Sequence, residues 1–409
     1  MIVQARSPLP PLLLTCLLLA GCSDASESRD PIMRTDSAGI EIVWNDLSLL
    51  EAQCEMASTP RVTIGAPEGD ESYLLYRVFG ATVLSDDRIA LVNQGSQELR
   101  VYDPGGQFLF AAGGEGDGPG EFRNAFYLWN LPGDTIWVGD YRPWVFEIFG
   151  PDGQWVRQVR PAPSYLNSPR GMGLLSDGRA ILGSAVINYG TPTFELSFLH
   201  VLLHQPDGAL ADTLQVLPWG RYGQVGDDPN SPRQYPFFES RGHYAARDNL
   251  FISGHGEEPE LQVYVFEPDL RLERIFRWSG VNRAVRDSDV EAARQAIRDQ
   301  YAEIDGPTRA RLVAPLIDED RPVADALPAF VDVQIGRDGA IWVEEYPEPG
   351  GDGPARWIRF EQNGRFSCRT DIPVGIEVYE FGRDYVLGEQ RGVLDTELVV
   401  LYELTAPGA

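Results

Sequence analysis

The chain has 409 residues, 43% of them hydrophobic, and a formal charge of −27 at neutral pH. That length suits one large repeat domain, and so acidic a balance excludes nucleic acid and anionic lipid as partners held by charge. Lysine is absent, so all 34 basic residues other than histidine are arginine, a bias that a GC-rich genome explains.

The amino terminus carries Arg6, an apolar run from Leu12 to Ala20, and Gly21-Cys22. The run is too short to span a bilayer as a structural helix and stands where a secretory signal belongs. The tetrad Leu19-Ala20-Gly21-Cys22 resembles the lipobox of bacterial lipoproteins. That resemblance implies a signal peptide over residues 1–21, lipidation of Cys22 and, with Ser23 in place of Asp, the outer membrane; an ordinary signal with a chance cysteine is the alternative. Contact with the membrane is then through the lipid alone, since nothing later is apolar for long enough. Cys16 and Cys22 belong to this leader, which leaves Cys54 and Cys368. An oxidising compartment invites a disulfide between them, with two buried free thiols as the alternative.

Residues 22–60 read as a tether and amino-terminal segment, Ser/Asp/Glu-rich from Ser23 to Pro31. Ile40 to Trp44 and Arg61 to Ile64 look like isolated strands without a hairpin partner. Beyond them, short runs rich in β-branched and aromatic residues alternate with tight turns. Six turns, at Ser85-Asp86-Asp87, Pro132-Gly133-Asp134, Ser176-Asp177-Gly178, Arg247-Asp248-Asn249, Arg337-Asp338-Gly339 and Gly382-Arg383-Asp384, each join a strand to its immediate successor. A second family follows the third strand of each unit, at Asp103 to Gly106, Pro151 to Gly153, Pro206 to Gly208, Pro268-Asp269 and Gln362 to Gly364.

The clearest copy of the unit is Gly113 to Trp155: a glycine loop closed by Phe122, a Gly133-Asp134 turn, an Asp140-Tyr141-Arg142 corner and a Pro151-Asp152-Gly153 hairpin. This order resembles an NHL repeat. The resemblance implies an all-β fold, a six-bladed β-propeller of four-stranded antiparallel blades over residues 61–405. The sixth blade lacks its last turn, so the strand at Arg61 to Ile64 is expected to close it. The chain is expected to be a monomer.

Successive first turns are 47, 44, 71, 90 and 45 residues apart. The extra length falls in the connections Trp219 to His243 and Gly280 to Pro328, and in smaller loops at Tyr189 to Phe194 and Pro347 to Pro354. All belong to the face opposite the tight turns, so the site is expected on this loop face. The insertion at 281–328 is helical: Val290, Ala293, Ile297, Tyr301 and Ile304 form a stripe, Ser288 with Glu291 a capping box, and Gly306-Pro307 a stop, with a second helix over Thr308 to Ile317. It is a lid over the ring mouth or a packing helix.

No metal site is expected. His200 and His204 are about 13 Å apart at strand rise, and His243 with His255 lacks a third ligand. Glu115, Asp117 and Glu121, or Asp227, Asp228 and Asn230, offer oxygen ligands at short spacing without an EF-hand pattern, so calcium is only an alternative to solvated acidic loops. No nucleophile elbow or P-loop is present. Adjacent Glu344-Glu345 alternate across a strand and make no acid/base pair.

The expected binding set on the loop face is Tyr141, Arg142 and Trp144 with Arg123, Asn188, Tyr189, His243, His255, Tyr346, Glu389 and Arg391, because arginine beside aromatic rings recognises carboxylates and planar ligands. The partner is a protein, peptide or glycan, bound without catalysis. The alternative is a propeller lyase or hydrolase acting at the central channel, which requires a metal or at least two convergent titratable groups with displaced pKa values.

Overall fold

In the computed structural model, strands Val78–Val83, Ile89–Asn93, Glu98–Tyr102 and Phe108–Gly113 pair in chain order as one antiparallel sheet. The same order recurs from Ala125–Leu131 to Trp155–Val159 and from Phe330–Ile335 to Phe366–Ile372. Two further four-stranded runs, Pro169–Leu175 to Leu210–Tyr222 and Gly242–Asp248 to Leu270–Trp278, join because their first strands pair in parallel with Gly173 opposite Ala246, and with Ile32–Ser37 and Ile40–Asn45 they make a ten-stranded sheet. The last run has three strands, Ile376–Phe381, Tyr385–Arg391 and Glu397–Thr405. The first strands adjoin one another around a ring in chain order, and Ile376–Phe381 returns to Val78–Val83. The arrangement is that of a propeller. The structure describes residues 30–141, 144–162, 169–186, 193–226, 228, 231–266, 269–280 and 283–407. Contacts divide the chain after Asp30, and the ring belongs to the unit that begins at Pro31.

Burial along the strands follows from this packing. Second and third strands lie between neighbouring sheets, so Ile89–Asn93 and Val145–Phe149 are buried at every position. Outer strands have one free face, and Phe108–Gly113 alternates half-buried with exposed. All six tight turns fall between first and second strands. Asp87, Asp134 and Asp248 take the left-handed backbone there, at φ 66°, 57° and 55°, which short polar side chains tolerate best after glycine.

The strand Val62–Ile64 pairs antiparallel with Glu397–Thr405, Ile64 opposite Val399, and gives the last run its fourth strand. Ile40–Asn45, by contrast, is not isolated. It forms a hairpin with Ile32–Ser37 and runs parallel along Leu270–Trp278, Glu41 opposite Arg274. Ile32–Ser37 is polar enough to read as tether, but it lies at a sheet edge where only one face needs to be apolar. Asn45 locks this addition: its amide donates to the carbonyls of Arg277 and Gly364 and accepts from the backbone of Phe366. Cys54 and Cys368 are joined as a disulfide with Cα atoms 5.5 Å apart, in a core that includes Trp342, Trp357 and Phe381.

Two long connections pack together on the loop face. The first begins after Tyr222, because the strand Leu210–Tyr222 absorbs Trp219, and the second carries helices α1 (Asp287–Gln300) and α2 (Gly306–Leu316). The cap on α1 is not the Ser288–Glu291 box: the Asp289 carboxylate accepts from the Arg286 backbone, and Glu291 pairs with Arg298. Gly306-Pro307 opens α2, where proline gives up no needed donor, and Asp305 caps Thr308. Phe237 and Ala324 hydrogen-bond the connections to each other. The Arg321 guanidinium lies 3.9 Å from the Phe237 ring centre and donates to the carbonyls of Tyr235 and Leu316. α1 rests on the Pro347 to Pro354 loop, since a Cβ on Gly350 would meet Ala292 at 2.9 Å.

Candidate functional site

Among the described residues of the expected loop-face set, several are engaged with the protein itself. Trp144 is 5% exposed, holds a left-handed backbone at φ 52°, and packs edge-on against Tyr127 and Phe146, so it is core and not a ligand platform. Tyr141 beside it is 39% exposed over Phe126. The Arg123 guanidinium is held by Asp117, while the Asp140 carboxylate fixes the backbone of Arg123 and Asn124. Tyr346 meets Phe238 edge-to-face. Arg142, Asn188, Tyr189 and Cys22 lie outside the described residues.

His243 packs on Phe330, ring centres 5.3 Å apart. Burial first, then the nearby charges of Arg241 and His255, brings its pKa down to about 3, so it is neutral at ordinary pH. Glu389 accepts from the Tyr379 hydroxyl at 2.7 Å and lies 3.3 Å from Arg391. Arg391 is shared with Glu397 at 3.0 Å and Asp395 at 3.8 Å. These two site candidates are therefore engaged with the protein itself.

Of the described calcium candidates, Asp117 is held by Arg123, and Glu121 accepts from the Gly118 amide. Asp227 and Asn230 lie outside the described residues. Among the described residues, no three His, Cys, Asp or Glu side chains converge as metal ligands do.

A different pair does converge. Asp332 on Phe330–Ile335 and Glu344 on Ile341–Glu345 stand directly opposite each other across an antiparallel ladder. A register shift between Phe330 and Asp332 sets Val331 out of the ladder just before this pair. Both are half-buried at the loop-face end of their strands, with the exposed Glu377 of the next run nearby. Asp332 accepts from its neighbour's backbone and, at 3.4 Å, from Gln334. No ion pair in the described structure involves either carboxylate.

Like charges opposed in this way destabilise each other, and burial adds to the cost. Burial and the nearby Glu377 push Asp332 up to about 6 against the opposing effect of its hydrogen bonds, and burial followed by Asp332 pushes Glu344 up to about 7. Near neutral pH the pair is therefore partly protonated, Glu344 more than Asp332, which makes it both an acceptor of cations and an acid beside a base. Adjacency with Glu345 concealed this pair. Counting outward from the Arg337 to Gly339 turn reveals it, since Ile335 faces Ile341 and three steps on Asp332 faces Glu344.

No family model and no curated protein matches the chain. Solved structures align with it over most of their length. A candidate exported protein of Bacteroides fragilis is 11% identical at TM-score 0.47, covering 86% of this chain and 95% of its own. A gluconolactonase of Xanthomonas campestris is 12% identical at 0.38, covering 93% and 96%. Virginiamycin B lyase of Staphylococcus aureus is 10% identical at 0.36, covering 87% and 99%. Likeness at this level carries nothing about fold or substrate.

Proposed function

We propose that the chain is a six-bladed, NHL-like propeller, anchored through lipid at Cys22 in the bacterial envelope, that binds a protein, peptide or glycan on its loop face. Its binding centre is Asp332–Glu344, and the bound group carries a positive charge. The single observation behind this reading is a half-buried carboxylate pair at the loop-face end of the ring with no ion-pair partner in the described structure. An ammonium or guanidinium would supply the missing counter-charge and favour the ionised form of both carboxyls. The six-blade count rests on the six tight turns and on the pairing of Val62–Ile64 with the last strand. The envelope assignment rests on the leader and its Gly21-Cys22.

A second reading has one observation in its favour. Two carboxyl groups on facing ladder positions, at about 6 and about 7, meet the requirement for acid/base chemistry at neutral pH, as in a propeller lyase or hydrolase. Binding is preferred because it needs only the charge of the pair, whereas turnover also needs a group that stabilises the reacting oxygen.

The test is recovery of partners from native membranes on the purified lipidated protein, beside its Asp332→Asn/Glu344→Gln double variant, at pH 8 and pH 5.5. Retention at pH 8 that falls at pH 5.5, and is lost in the double variant at both, supports the binding centre. Equal retention by both proteins at both pH values would overturn it. Consumption of the recovered ligand by the wild type alone would favour the second reading.

A further inference from the structure

Between the outer strand Leu210–Tyr222 and the neighbouring run Gly242–Asp248 to Leu270–Trp278, a cleft of about 240 Å³ opens at the loop-face end of the sheet. One wall is apolar: Leu217, Pro218 and the ring of Tyr244. That wall is preformed, because the Tyr244 hydroxyl donates to the Pro218 carbonyl at 2.7 Å and Trp219 stacks against the Tyr244 ring. The opposite rim is acidic, with exposed Glu257 and Glu258 on the loop after His255.

His255 stands between wall and rim. Its Nδ1 is 3.8 Å from the Glu257 carboxylate, beyond a direct hydrogen bond. A donor between the two atoms would reach both at ordinary distances. Its Nε2 is buried without a partner in the structure. Burial lowers the ring's pKa, so the neutral imidazole can accept.

We propose that this cleft is a second recognition site on the loop face, taking the side chain of a lysine or arginine from a peptide. The aliphatic stem lies on Leu217, Pro218 and Tyr244, and the charged head bridges His255 and Glu257 with Glu258 behind it. The volume is below the ~300 Å³ at which pockets hold whole small ligands, and suits a single side chain. An apolar wall ending in carboxylates matches a residue that buries its methylenes and keeps its charge near water. The site goes beyond the binding reading above and does not depend on the Asp332–Glu344 pair.

The chain has only four histidines, so the full mature protein with labelled histidine rings gives a spectrum in which His255 is assigned by its loss in His255→Gln. The probes are two tripeptides with blocked termini, one with central lysine and one with central norleucine. The lysine peptide is expected to move the His255 ring signals saturably, and the norleucine peptide to leave them. Glu257→Gln/Glu258→Gln should weaken the lysine peptide about fivefold, the scale of two partly exposed charge contacts. Asp332→Asn/Glu344→Gln should leave it unchanged, which separates failure here from failure of the other site. Equal shifts with both peptides, no shift at His255, or loss of binding in the Asp332/Glu344 variant would overturn the proposal.

Discussion

Two sets of buried carboxylates in this ring differ in how they are satisfied. Glu380, near the turn end of Ile376–Phe381, is 5% exposed and accepts from the Thr82 hydroxyl, the Val83 amide, the Tyr385 hydroxyl and the Arg247 guanidinium. These donors come from three different runs of strands, so one side chain ties the ring together. Asp332 and Glu344, at the loop end, face each other with one long side-chain hydrogen bond between them and their surroundings. A buried charge that is fully bonded is structure. One held against its own kind stores a cost that a ligand can relieve.

The largest expected effect removes the satisfied group. Glu380→Ala leaves Arg247 as an uncompensated charge beside two hydroxyls and an amide, and should cost about 3–5 kcal/mol in urea unfolding. Glu380→Gln, which keeps the shape and part of the hydrogen bonding, should cost less. A loss below about 1 kcal/mol for the alanine variant would mean that water replaces these bonds, and the contrast between the two sets would fail.

Removing the strained pair should do the opposite. Asp332 and Glu344 titrate at about 6 and about 7 in the folded chain, above the unfolded values of about 3.9 and 4.3. The native state therefore binds more protons than the unfolded state between about pH 4 and pH 7. The pair's contribution to stability is full below about pH 4 and is lost as pH rises through about 6 and then about 7. Asp332→Asn/Glu344→Gln should be more stable than wild type by about 1–3 kcal/mol at pH 8, with the gain shrinking toward zero near pH 4. A gain that does not vary with pH would refute the electrostatic explanation.

Legibility in the sequence followed the same division between local and long-range causes. The six tight turns and the closing strand near Val62 are written in local residue choice, because a turn needs Gly, Asp or Asn wherever φ is positive. The Ile32–Ser37 hairpin was concealed because its polar residues look like linker until an edge is available for them. Loop-face reading by topology points to the same strand ends at which Asp332 and Glu344 stand, yet it chose conspicuous residues. Trp144 is conspicuous because the core needs it, and Arg391 because Glu389 and Glu397 need neutralising. Asp332 and Glu344 are twelve residues apart in sequence and meet only through ladder register, which composition and spacing do not display.

The smallest expected effect concerns a third kind of carboxylate. Asp117 and Arg123 form an ion pair in the glycine loop with side chains 70% and 59% exposed. Water screens such a pair, and holding two long side chains together offsets most of its attraction. Asp117→Asn should therefore leave the thermal midpoint unmoved, and millimolar calcium should do the same to the wild type, since the ion would have to displace Arg123 to reach Asp117. A calcium-dependent rise in midpoint that Asp117→Asn abolishes would turn this loop from a solvated crossing into a ligand site. It would also add, to the Asp332–Glu344 pair and the Glu257 cleft, a further place on the loop face where carboxylates serve a bound cation.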